Sequence, residues 1–231
     1  MEAPEIYKPE IGYFVGQWQV VATRTLFQSF HLGRRYGERR VQLCAEGIEL
    51  IGKSLLIARH VNLDGEMCLE VSNKNVETFA RSYGHKLRKI LTGLNIDKLN
   101  NFLSSYRWSL EDEEYLDGWE LIDRLEKSYS SFKYPSIEDH LSIPSKKGEF
   151  HWCLRFSSAF NELSQAIYRI IIFQTASELK TDLILYPPPM AEIKDWKRFL
   201  NLYILSGRRQ IGEVSDEFYI LRQDELKHVE A

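Results

Sequence analysis

Apolar positions recur at helical spacing along most of this chain. Val41, Cys44, Ile48, Ile51, Leu55 and Ala58 step by three or four residues, drawing one stripe down a helix that should end near His60. Leu43, Leu50 and Ile57 add a second seam beside it, which predicts burial on more than one side. Gly47 and Gly52 lie inside this helix, and each costs about 1 kcal/mol against alanine unless packing offsets it. The polar remainder, Glu38, Arg39, Gln42, Glu46, Glu49 and Lys53, is assigned to the wet face. Glu49 and Lys53 are also spaced as an i,i+4 ion pair, worth only a few tenths of a kcal/mol on a surface.

The same pattern predicts a first helix from Ile11 to about Phe30, with Gly33 as its C-cap. Asn62-Leu-Asp-Gly65 reads as a turn, and Met67–Val71 as a short strand or extended chain. A short helix opens near His85, and residues 96–106 and 115–129 predict two more. Glu111, Asp112, Glu113 and Glu114 between those two suit a helix start, where the dipole favours anions. Phe132–Phe150 reads as a loop. A long helix follows, with Cys153, Phe156, Phe160, Leu163, Ile167 and Ile170 on one face. Leu183-Ile-Leu-Tyr186 runs into three prolines that form a stiff connector before a last helix over 191–205. The fold class is therefore all-α: an antiparallel bundle over residues 1–180, with a C-terminal helical extension, 181–231, packed on it.

Composition narrows the function only slightly. The chain has 231 residues, 44% hydrophobic and 27% charged, with 30 Lys+Arg against 33 Asp+Glu. A net charge of -3 gives no global reason to expect nucleic acid as a partner. Cys44, Cys68 and Cys153 form no CxxC pair, so neither a disulfide framework nor a zinc site is expected, and the default setting is the cytoplasm. Met1–Glu10 carries acids and prolines where the apolar core of a signal peptide would sit, and no apolar run is long enough for a membrane span. A Gly-x-Ser-x-Gly elbow, a glycine-rich phosphate loop and a His-x-x-x-His pair are all missing, so no cofactor or metal is expected.

One succession of residues is more distinctive. Glu49-Leu-Ile-Gly-Lys53-Ser-Leu-Leu-Ile-Ala-Arg-His60 followed by Tyr83-Gly84-His85-Lys86-Leu87-Arg88-Lys89-Ile90-Leu91 resembles the HEPN family, in which a Glu/Lys-and-leucine helix precedes a Gly-His-x-Leu segment. Tyr129-Ser-Ser-Phe-Lys133-Tyr134-Pro135 is similar to a stretch found downstream in many of those domains, with Lys133 where arginine is common. The likeness spans roughly residues 12–135. It implies an antiparallel helical bundle that often dimerises, in which segments 36–60 and 85–95 lie as antiparallel neighbours. It also implies a metal-independent ribonuclease, or a non-catalytic RNA-binding module, in a toxin, defence or regulatory setting.

The family's signature is Arg-x4–6-His. Histidine titrates near neutrality and can move a 2′-hydroxyl proton, while arginine presents a fork of donors to the phosphate. Arg24 and His31 meet that spacing and share a helix face with Gln28 between them, although they sit in the first helix, earlier than the family pattern has it. Arg222 and His228 also match but fall on different faces, and Arg155 has no histidine at the right distance. Arg24 and His31 are thus the first catalytic candidates and His85 the reserve. Arg34, Arg35, Arg39 and Arg40 form one basic cluster, and Arg81, Lys86, Arg88 and Lys89 a second; both are candidates for phosphate contact.

Each of these has a plainer reading. Arg24 and His31 can serve surface or inter-helix hydrogen bonds, His85 can brace its own helix, and the arginines can pair with nearby acids. The aromatic stripe Phe156, Phe160, Ile167 and Ile170 supports an alternative function, a non-catalytic interaction protein with a dimer seam, or else is simply core.

Overall fold

The computed structural model describes residues 8–32, 37–63, 73–109, 115–133, 147–180, 182–205, 213–214 and 219–221. The fold is all-α. Two helices open the chain, α1 (Lys8–Leu32) and α2 (Gly37–Leu63). They form an antiparallel pair: Ser29 Oγ bonds the Arg40 carbonyl at 3.2 Å and meets Cys44 Sγ at 3.0 Å, while Leu26 lies over Gly47 further along. A Cβ on Gly47 would stand 2.4 Å from Leu26 Cγ, so the glycine's helix cost is offset by the approach of α1.

Next come α3 (Asn73–Ser82), α4 (Leu87–Gly93) and α5 (Asp97–Ser105). The short strands β1 (Arg107–Trp108) and β2 (Leu116–Asp117) pair antiparallel and lead into α6 (Gly118–Lys133). The start of α6 is fixed by a capping box. The Glu120 amide donates to Asp117 Oδ1 and the Asp117 amide to Glu120 Oε2, both at 2.8 Å. That cap, rather than a helix beginning at Tyr115, sets the boundary. Residues 111–114 lie outside the described residues.

The long helix α7 (Lys147–Leu179) runs beside α2. Cys44 faces Ser164 toward one end, and Arg59 forks onto Glu178 at the other, with Nε to Oε2 at 2.9 Å. The two helices therefore run the same way. α4 is antiparallel to α6, since Arg88 meets Asp123 and His85 meets Tyr129.

The antiparallel arrangement expected for segments 36–60 and 85–95 does not form. α2 and α4 are neighbours, but they are parallel, because the contacts Glu49–His85, Gly52–Ile90 and Arg59 to the Leu94 carbonyl ascend together. The cause is α3, an amphipathic helix that periodicity did not mark out. It carries the chain back from the level of His60, which stacks on Phe79, to the level of Glu49, so that α4 starts again in the direction of α2. Helix α2 itself continues to Leu63, past the expected end near His60, and the proposed strand 67–71 lies outside the described residues.

The core joins both parts of the chain. Val41, Cys44, Ile48, Ile51, Leu55 and Ala58 are all buried, as their stripe predicted. Phe156, Phe160, Leu163 and Ile167 are buried as well, and Ile170 is half-buried against the same core.

The C-terminal part departs from the helical extension. Leu183–Leu185, β3, leads into the prolines as the edge of a three-stranded antiparallel sheet, ordered β3, β5 (Tyr219–Leu221), β4 (Glu213–Val214). Between them α8 (Ile193–Leu200) continues into a π-helical turn, Asn201–Leu205. Trp196 and Phe199 pack against Phe27 of α1, at ring separations of 6.2 and 5.5 Å, and fasten this part to the bundle.

Candidate functional site

Two residues of α2 that the polar pattern assigned to water are buried. Glu49 and Lys53 each keep only 5% exposure, and Lys53 Nζ donates to Glu49 Oε1 at 2.7 Å. Around them α2 is buried on nearly every side from Gly47 to Ala58, because α1, α4, α6 and α7 all pack on it. A helix covered this completely has no wet face left. A buried ion pair is held only where its remaining valences are met, and here the third member comes from another element.

That member is His85. Gly84 adopts φ +59° and its amide bonds the Arg81 carbonyl at 2.9 Å, closing a turn between α3 and α4. The left-handed conformation suits glycine and returns the next residue toward α2. His85 Nδ1 then lies 2.9 Å from Glu49 Oε2 and 3.0 Å from Oε1. A carboxylate only accepts, so Nδ1–H is the donor, and in the neutral ring the lone pair belongs to Nε2. The His85 side chain remains 42% exposed, and Tyr129 of α6 stands edge-on to it at 5.9 Å. A charged, buried base plate thus orients an imidazole that solvent reaches.

Around this corner the second basic cluster divides. Arg88 is committed to α6: Nε and Nη2 fork onto Asp123 at 2.6 Å each, its guanidinium lies 5.1 Å from the Trp119 ring, and its backbone amide bonds Glu126. The Asp123 carboxylate favours its charged form and raises its pKa. Lys89 reaches the Ser82 carbonyl at 3.0 Å and sits over Tyr83. Arg81 and Lys86 are exposed.

The other candidates lie elsewhere. Arg24 is half-buried on α1, and its Nε has no hydrogen-bond partner among the described residues. His31 is exposed at the end of α1, 3.7 Å from Asp195 of α8. Seven residues of helix put the two about 10 Å apart along the axis, and no contact joins them among the described residues. Arg39 is exposed and bonds Gln42; Arg40 is half-buried beside Cys44 and Tyr203. Arg34, Arg35, Arg222 and His228 lie outside the described residues. Arg40 and Glu49 are nine positions apart on α2, about 13 Å of rise, so Arg39 and Arg40 stand apart from the His85 corner.

Cys44 is no rival nucleophile, since burial pushes its thiol pKa up. Among the described residues no group of three or more His, Cys, Asp or Glu could hold a metal ion, and no helix is long and apolar enough to cross a membrane. Comparison of the chain with family models, curated proteins and solved structures gives no match.

Proposed function

We propose that this chain is a HEPN-like helical protein that binds RNA in a toxin, defence or regulatory setting, with the Gly84-His85 corner as its working site. Metal-independent phosphodiester cleavage is the reaction that this corner is equipped for. The observation that carries the reading is the contact of His85 with the buried Glu49–Lys53 pair. It unites the two segments on which the family resemblance rests. A ring whose Nδ1–H donates to Glu49 offers Nε2 as a base toward a ribose 2′-hydroxyl. The 2′-oxygen attacks phosphorus, the 5′-oxygen leaves with a proton from solvent, and a 2′,3′-cyclic phosphate remains. Arg81, exposed at the same turn, is the arginine assigned to the phosphate, at a spacing from His85 one residue shorter than the family signature.

The test is incubation of the protein with a mixed RNA pool in chelator. The reading expects fragments ending in cyclic phosphate from the wild type and none from His85→Ala. Equal cleavage by both proteins would remove His85 from the chemistry, and a wild type that neither binds nor cuts RNA would remove the function.

A second reading, a non-catalytic interaction protein, has a separate observation in its favour. Ile184, Tyr186, Met190 and Ile193 are all exposed around the triple proline and the edge strand β3. Light scattering at micromolar concentration separates a monomer from a self-associating form.

A further inference from the structure

His60, at the end of α2, stacks on Phe79 of α3 with ring centroids 4.1 Å apart and planes 9° from parallel. Phe79 in turn meets Tyr83 edge-to-face at 5.5 Å, and the Lys89 ammonium lies 5.3 Å from the centre of the Tyr83 ring. Gly93 makes room for this arrangement, since a Cβ there would approach Tyr83 Cε1 to 3.3 Å. Phe79 and Tyr83 rest on the core with one side, whereas His60 is exposed. The row therefore ends in an exposed ring stacked on Phe79. It leads along α3 to the turn that holds His85.

We infer that His60, Phe79 and Tyr83, with the Lys89 ammonium at the far end, form a platform for single-stranded RNA, an unpaired base stacking on the open face of His60. This rests on the RNA-binding reading above and extends it to a preference for unpaired strands. A stacked planar ring prefers another planar ring as its next layer, and every base supplies one. The charge around the row suits a polyanion. Lys89 and Lys86 are exposed cations, while Glu49 is engaged by Lys53 and His85, and Asp123 by Arg88. A base inside a duplex has both faces covered by its neighbours and cannot occupy the position, which leaves only the terminal pairs of a blunt duplex with one open face.

The experiment is fluorescence anisotropy of the full chain with a labelled single-stranded RNA 12-mer of mixed sequence, and with the blunt duplex of that sequence, at two salt concentrations. The single strand should bind more tightly than the duplex. His60→Ala, which alters an exposed side chain, should weaken single-strand binding about tenfold or more, and His60→Phe should retain it. Lys89→Ala should lower the salt dependence by about one phosphate's worth. Equal binding of strand and duplex, or unchanged affinity in His60→Ala, would overturn the platform. If binding still fell in His85→Ala and Lys86→Ala, the RNA-binding reading would survive that loss. Absence of binding by the wild type would overturn both.

Discussion

Glu49 and His85 stand 36 residues apart in sequence and meet at 2.9 Å in the fold. The contact ties the turn before α4 to the middle of α2, and it links the buried Lys53–Glu49 pair to a partly exposed imidazole. Structure and chemistry coincide here, because the carboxylate that balances Lys53 is also the group that orients the imidazole.

The first prediction concerns that balance. Glu49→Gln leaves the Lys53 ammonium buried without its counter-charge, and urea unfolding should show a loss of about 3–5 kcal/mol. The double replacement Glu49→Leu with Lys53→Met removes both charges and should cost far less. A Glu49→Gln protein as stable as the wild type would mean that the pair is solvated.

Gly52 supplies a second prediction. A Cβ there would stand 2.6 Å from Ile90 Cγ2, on a branched side chain that cannot swing away. Gly52→Ala should therefore destabilise the protein by about 1–3 kcal/mol, although alanine is the better helix former. Ile90→Ala in the same chain should recover part of the loss caused by overpacking. A Gly52→Ala variant more stable than the wild type would place α4 further from α2.

Acid sensitivity follows from Arg59 and Glu178, which join α2 to α7. Hydrogen bonds from Arg59, chiefly, and from Gln174 hold the Glu178 carboxyl below its ordinary value of 4.5. A lowered carboxyl pKa contributes stability above the unfolded value and loses it as pH falls through the folded one. Melting temperature measured from pH 7 down to pH 3 should fall more steeply below about 4.5 in the wild type than in Glu178→Gln. Glu178→Gln should also be the less stable protein at pH 7. Parallel curves for the two proteins would contradict the assignment.

Much of the fold was legible in the chain because burial writes a period into it. The α2 stripe from Val41 to Ala58 and the α7 stripe from Phe156 to Ile167 are local patterns, and the core uses them directly. The place of Glu49 and Lys53 was not legible in that way. Helical spacing assigns them to a face, but what covers the face is α4, delivered by a helix, α3, that had not been foreseen. The two apolar seams, one through Ile48, Ile51 and Leu55 and the other through Leu50 and Ile57, were the available signal, since together they leave little room for a wet side. The sheet at the C-terminus escaped for a related reason. Leu183–Leu185 is three residues long and pairs with Tyr219–Leu221, so its partner is distant and its own run too short to show alternation. Among the catalytic candidates, spacing could align Arg24 with His31 but could not foresee that His31 lies beside Asp195.

On the proposed reading, RNA engages the imidazole that Glu49 orients. The most direct test of that reading is the 15N spectrum of the His85 ring, assigned by comparison with His85→Ala, during titration with single-stranded RNA in chelator. If RNA engages this ring, Nδ1 stays protonated against Glu49 while the Nε2 resonance moves, saturating at the same concentration as binding measured by anisotropy. A His85 ring whose signals do not move while RNA binds elsewhere on the protein would contradict it.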